Sequence, residues 1–159
     1  MKGRVVRTSH ESLCLAGNPL GDPCKRELYV YLPPQYDGAQ RFSVVMMLAG
    51  FGSTNHSIAG WSPWKPNTIE RFDQLIVEGK CKPAILVLPD CFNRWGGSQF
   101  IDSPGTGRYQ TYLADEVFPF VDAEFQTIPK RDARAVVGRS SGGFGALRLG
   151  MDRPDVVSV

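Results

Sequence analysis

Histidine is scarce in this chain: of 159 residues only two, His10 and His56, carry an imidazole, and both fall in the first third. Long hydrophobic runs are missing as well. The longest, Val44 to Ala49 and Ala84 to Leu88, are far short of the roughly 20 residues that span a bilayer, so no membrane partner is expected. A charge excess of one sign is also lacking. Eighteen Lys plus Arg stand against sixteen Asp plus Glu, for a net charge of +2, and no basic block breaks the distribution, so electrostatics name no nucleic-acid partner. The opening Met1-Lys2-Gly3-Arg4-Val5-Val6-Arg7 is basic with no apolar segment behind it, so no secretory signal is expected and a cytoplasmic location is. Cys14, Cys24, Cys81 and Cys91 include no CxxC pair, which favours free thiols over a disulfide framework. A metal site on His10 and Cys14 would need further ligands that have no obvious source; neither metal nor cofactor is expected.

What is present, 42% hydrophobic and 21% charged residues, suits a globular domain of ordinary size. Two strands are predicted at the start, around Val5 to Leu15 and Glu27 to Leu32, joined by Gly17-Asn18-Pro19-Leu20-Gly21-Asp22-Pro23. Val44-Val45-Met46-Met47-Leu48-Ala49 and Ala84-Ile85-Leu86-Val87-Leu88 are continuously apolar, as strands covered on both faces are, and Ala133-Arg134-Ala135-Val136-Val137 approaches that pattern. Between them lie helical patterns. Ile69, Phe72, Leu75 and Ile76 recur at helical spacing from Thr68 to Glu78, with Gly79 as the stop. A second stripe runs from Arg108 to Phe125, where Pro119 should kink or divide the helix. A third helix should begin just after Ser140 and reach about Met151. Strand and helix in alternation predict an α/β fold with a mostly parallel sheet and helices on both faces.

In such sheets the reacting groups gather at the carboxyl ends of the strands. Three loops therefore matter, Gly50 to Asn67, Pro89 to Gly107 and Gly138 to Gly143, and they should share one rim. The last contains Gly138-Arg139-Ser140-Ser141-Gly142, which fits G-x-S-x-G. A serine on a sharp strand-to-helix turn adopts a strained backbone, and the positions two residues away must be small because strand and helix approach closely. Ser141 lacks that flank, since position 139 is Arg, so Ser140 is the candidate nucleophile. The pattern alone arises by chance; its place between an apolar strand and a helix gives it weight. A glycine-rich turn in which Ser140 merely caps a helix is the alternative. An oxyanion would need two backbone donors, and the amides of Ser141 and of Phe51, in the loop after Leu48-Ala49-Gly50, are the candidates. Trp61, Trp64 and Trp95 could line an apolar substrate pocket, or simply pack their loops.

On these residues the chain resembles the esterase branch of the α/β-hydrolases, which includes S-formylglutathione hydrolases, enterochelin-type siderophore esterases, feruloyl esterases and mycolyltransferases. The resemblance covers nearly the whole chain. It rests on Gly17 to Pro23, Tyr31-Leu32-Pro33-Pro34 before Tyr36-Asp37, Leu48-Ala49-Gly50-Phe51, Leu88-Pro89-Asp90, Gly107-Arg108-Tyr109 and the run from Gly138 to Leu147, and looks most like the enterochelin-esterase-like members. Ala49 stands where the family often has His. The resemblance implies a serine esterase acting on a small-molecule ester or thioester through an acyl-enzyme, with an acyltransferase or a non-catalytic ligand- or partner-binding domain of the same fold as alternatives; an oligomer is compatible with either.

In this fold the acid and then the histidine follow the nucleophile, yet no histidine follows Ser140. Asp152 and Asp155 come too early for the acid. His56 could approach the rim, with an exposed loop position as the alternative. The chain is therefore expected to be the N-terminal part of a single α/β-hydrolase domain, cut after the elbow helix, inactive alone and prone to fold poorly or associate.

Overall fold

A computed structural model describes residues 1–158. Strand β1 (Arg4–Glu11) pairs antiparallel with β2 (Lys25–Leu32), from Arg4 opposite Leu32 to Glu11 opposite Lys25. The first strand ends earlier than its apolar pattern predicts. Ser12 and Cys14 turn away to Glu116, which accepts from the Ser12 hydroxyl and, at 2.8 Å, from the Cys14 amide. β3 (Ser43–Leu48) follows, then two helices, α1 (Asn55–Ala59) and α2 (Thr68–Val77), and β4 (Ala84–Pro89). A two-residue hairpin, β5 (Asp102–Ser103) and β6 (Gly107–Arg108), precedes a long helical stretch. The sheet is completed by β7 (Arg134–Gly138), which leads into α5 (Ser141–Asp152).

The five main strands lie in the order β1-β2-β4-β3-β7, antiparallel on the β1/β2/β4 side and parallel across β4/β3/β7. β3 and β4 are covered on both faces, which is why their sequences are continuously apolar. Val44, Met46, Ile85 and Val87 face a core with Tyr112, Val117, Val121 and Leu149 from the later helices. Leu86 and Leu88 face Tyr31, Ile69 and Ile76 on the other side. Helices thus flank the sheet on both faces, as expected.

α2 shows how local sequence secures an element. Asn67 and Glu70 form a reciprocal cap, the Asn67 side chain accepting from the Glu70 amide at 2.9 Å and the Glu70 carboxylate from the Asn67 amide at 2.8 Å, worth about 1 kcal/mol. Ile69 and Ile76 are buried and contribute roughly 2 kcal/mol each. The helix ends where Gly79 takes a φ of 69°, which costs glycine nothing.

The stretch predicted as one helix with a break at Pro119 is three segments: α3 (Tyr109–Thr111), a π-helical turn over Tyr112–Val117, and α4 (Phe118–Glu124). The Phe118 amide donates to the Leu113 carbonyl, five residues back. Proline has no amide to donate and its ring crowds the preceding turn; the wider turn just before it absorbs both effects. All four cysteines are free. Among the described residues, no helix is long and apolar enough to cross a membrane, and no group of three or more His, Cys, Asp or Glu could hold a metal.

Candidate active site

Ser140 stands between the last residue of β7 and the first turn of α5 with φ 57° and ψ −122°, outside the regions a side chain normally tolerates. The two glycines around it explain how the turn closes. A Cβ on Gly138 would overlap the backbone of Gly142, and one on Gly142 would overlap the carbonyl of Leu48 at the end of β3. The elbow therefore packs backbone against backbone, and the strain at Ser140 is held by contacts that only glycine permits. Ser140 is exposed at the carboxyl edge of the parallel strands.

The loop after β3 runs past this serine. A Cβ on Gly50 would lie 3.6 Å from the Arg139 carbonyl oxygen and 3.9 Å from the Ser140 Cβ, so the backbone leading into Phe51 borders the candidate nucleophile. The Phe51 ring turns away onto Gly96 and Gly97, whose φ angles are 92° and 155°. The Gly52 amide donates to the Gly96 carbonyl at 2.8 Å, tying this loop to the one after β4. Ser141 supplies the first amide of α5, a position that has no intrahelical acceptor. Its hydroxyl is committed elsewhere, donating to the Gln99 side-chain oxygen at 2.6 Å.

Gln99 and Phe100 were not singled out by sequence. Both are left-handed, with φ 56° and 58°, and both clamp α5, Gln99 through Ser141 and Phe100 through ring contact with Gly145, where a Cβ would collide with it. Arg26, also unforeseen, is buried beneath the same loop and donates to Asp90 at 3.3 Å, to the Phe92 carbonyl at 2.7 Å and to the Tyr109 hydroxyl at 2.7 Å. Burial raises the Tyr109 hydroxyl to about 12, against the pull of the Arg26 charge, so it stays neutral and able to donate. Burial likewise pushes the Cys91 thiol well up, which suits a packing role.

Two cavities lie among these loops, and all three loops meet only in the smaller. One of about 670 Å³ is bordered by Gly50, Phe51, Trp61, Arg139 and Ser140. A small one behind it joins Gly50, Cys91, Gly97, Phe100 and Ser141. Trp61 is among the residues that border the larger cavity. Trp64 and Trp95 do not line the larger cavity. Asn67 closes its loop by donating to the Ala59 carbonyl at 3.0 Å, leaving Trp64 outward and 92% exposed; Trp95 rides a turn that the Asn93 side chain holds through the Trp95 amide at 3.0 Å and is also exposed.

Neither histidine adjoins Ser140. His56 has its Nδ1 2.8 Å from the Tyr29 hydroxyl and its Nε2 3.0 Å from Glu27, facing a separate cavity with Arg26, Asp90 and Arg94. His10 packs on Phe120 and lies 3.6 Å from Glu116.

A mostly parallel sheet flanked by helices, with a strained serine on a glycine-bounded turn after a parallel strand, defines an α/β-hydrolase. The "Putative esterase" family matches residues 22–159, and the chain belongs to that family. Among curated proteins it is 37% identical over 68 residues to Esterase Rv1288 of Mycobacterium tuberculosis, covering 42% of this chain and 15% of that protein. It is 28% identical over 132 residues to an endo-1,4-beta-xylanase/feruloyl esterase of Xylanibacter ruminicola, covering 80% of this chain and 18% of that one. Among solved structures a ferulic acid esterase superposes with a TM-score of 0.79 at 26% identity, over 98% of this chain and 55% of that chain. An S-formylglutathione hydrolase from Agrobacterium tumefaciens shares the fold, with a TM-score of 0.74 at 19% identity over 98% and 56%. The chain thus spans about half the length of these structures and less than a fifth of these curated relatives.

Proposed function

We propose that this chain carries the nucleophile and oxyanion loop of a serine esterase whose general base and acid lie outside these 159 residues. Ser140 Oγ attacks the carbonyl carbon of a small-molecule ester or thioester, giving its proton to the base. The amides of Phe51 and Ser141 hold the oxyanion; collapse expels the alcohol or thiol, which takes the proton back, and water then releases the acid from the acyl-enzyme. The strained conformation of Ser140 between Gly138 and Gly142 is the observation that carries this reading. The engagement of His56 with Tyr29 and Glu27 supports a base supplied from elsewhere. Feruloyl and S-formylglutathione esters, named for relatives, are natural first substrates to try.

The test is fluorophosphonate labelling of the full-length protein. Labelling that disappears in Ser140→Ala is expected. A folded protein that is not labelled, or labelling that survives the substitution, overturns the assignment and favours a non-catalytic binding domain. Residues 1–159 alone should turn over esters negligibly, because without a base the serine keeps its proton; appreciable hydrolysis lost in Ser140→Ala overturns the placement of the base outside this segment.

A further inference from the structure

The charged side chains that border the cavity beside Ser140 are of one sign only. Lys65, Arg71 and Arg139 all border its 670 Å³, and no Asp or Glu does. Among the described residues none of the three cations has a carboxylate within 4 Å, unlike Arg7, Arg26, Arg94, Arg134 and Arg153. The neighbouring cavity around His56 makes the contrast plain, since there Arg26 meets Asp90 at 3.3 Å and Arg94 meets Asp22 at 3.9 Å. Glu70, next to Arg71 in sequence, makes no ion pair with it within 4 Å among the described residues; its carboxylate accepts from the Asn67 amide at 2.8 Å. Arg71 is instead steadied by donation from its Nε to the Pro66 carbonyl at 3.3 Å.

Three unneutralised cations from separate segments around one concave space raise the local concentration of anions and favour a ligand whose negative charge they can share. Trp61, which also borders the cavity, offers an apolar face. We propose that this cavity selects an ester whose body carries an anionic group, a carboxylate or phosphoryl, held by Lys65, Arg71 and Arg139 while the ester carbonyl lies at Ser140. The role given to Ser140 rests on the proposed esterase reading; the anion preference does not require turnover.

The experiment compares 3-phenylpropanoate, its neutral amide and phenyl phosphate by calorimetric titration of the full-length Ser140→Ala protein at low salt. The two anions are expected to bind at least about tenfold more tightly than the amide, with the preference shrinking at high salt. Lys65→Gln with Arg71→Gln should bring the ratio close to one, and Arg71→Lys should retain most of it. The relative strength of carboxylate and phosphate then identifies which anion the substrate carries. Amide binding as tight as the anions, no binding of either anion up to about 10 mM, or a preference untouched by the double substitution overturns the proposal. Because Ser140 is absent in this assay, failure of fluorophosphonate labelling and failure of anion selection are read separately.

Discussion

Ser141 donates its hydroxyl proton to the side-chain oxygen of Gln99 at 2.6 Å, across 42 positions of sequence. The acceptor sits on a backbone with φ 56°, a conformation that costs a non-glycine residue on the order of 1 kcal/mol. The loop after β4 holds that strain while it fixes the first residue of α5, whose amide is a candidate oxyanion donor.

Gln99→Ala in the full-length protein should therefore lower kcat by about tenfold through a misaligned donor and leave KM within about twofold. Gln99→Gly relieves the left-handed strain yet removes the same hydrogen bond, so it should show the same kcat loss. Ester kinetics on both variants check this; a loss confined to KM, or recovery in the glycine variant, counts against a role in aligning Ser141.

Glycines in the elbow helix should respond in opposite directions. Gly142→Ala drives a Cβ into the Leu48 carbonyl and should cost about 3 kcal/mol. Gly150, in the interior of the same helix, has open space around a built Cβ, and alanine there should stabilise by about 0.5–1 kcal/mol. Urea unfolding of the two variants decides; equal effects would show that the close approach at Gly142 is not limiting.

Asp73 gives the fold an acid-sensitive tie. Burial opposes its ionisation, but the Gly3 amide at 2.6 Å, the Lys2 amide at 2.9 Å and the Tyr31 hydroxyl at 3.0 Å outweigh it and hold the carboxyl below the usual range. A carboxyl depressed in the folded state contributes stability that is complete above its unfolded pKa of about 4 and is lost as pH falls through the folded value. Asp73→Asn should cost about 2 kcal/mol at pH 7 and flatten the acid limb of the stability curve. Unfolding free energies measured from pH 7 down to 3 test it, and an unchanged slope would remove Asp73 from that role.

Phe144, Leu147 and Met151 recur at helical spacing on α5 and are 46%, 64% and 58% exposed. Contiguous apolar surface of this kind promotes association. Residues 1–159 alone should self-associate, and Leu147→Lys with Met151→Lys should shift the population toward monomer in light scattering. A monomer at about 0.1 mM without these substitutions would contradict the expectation.

Much of the candidate site's local geometry was readable because its constraints are local. Gly138, Ser140 and Gly142 are set by the spacing of one turn, and the apolar runs at Val44 and Ala84 reflect burial on both faces. The π-helical turn was only half readable: Pro119 announces a break, but whether the chain kinks or widens depends on how Tyr112 and Val117 pack in the core. Gln99 and Phe100 carry no signal of left-handed backbone, since that strain is stable only against Ser141 and Gly145. Lys65, Arg71 and Arg139 look like ordinary surface charges until three segments converge.

The scarcity of histidine excluded, from sequence alone, a histidine base placed after Ser140 within these residues, because chain order is a property of sequence. That His56 is turned to Tyr29 and Glu27, and that unneutralised cations gather where Ser140 is exposed, was decided by tertiary structure. Electrostatic and hydrogen-bonding partners are chosen by distance in space, and distance in sequence does not encode them.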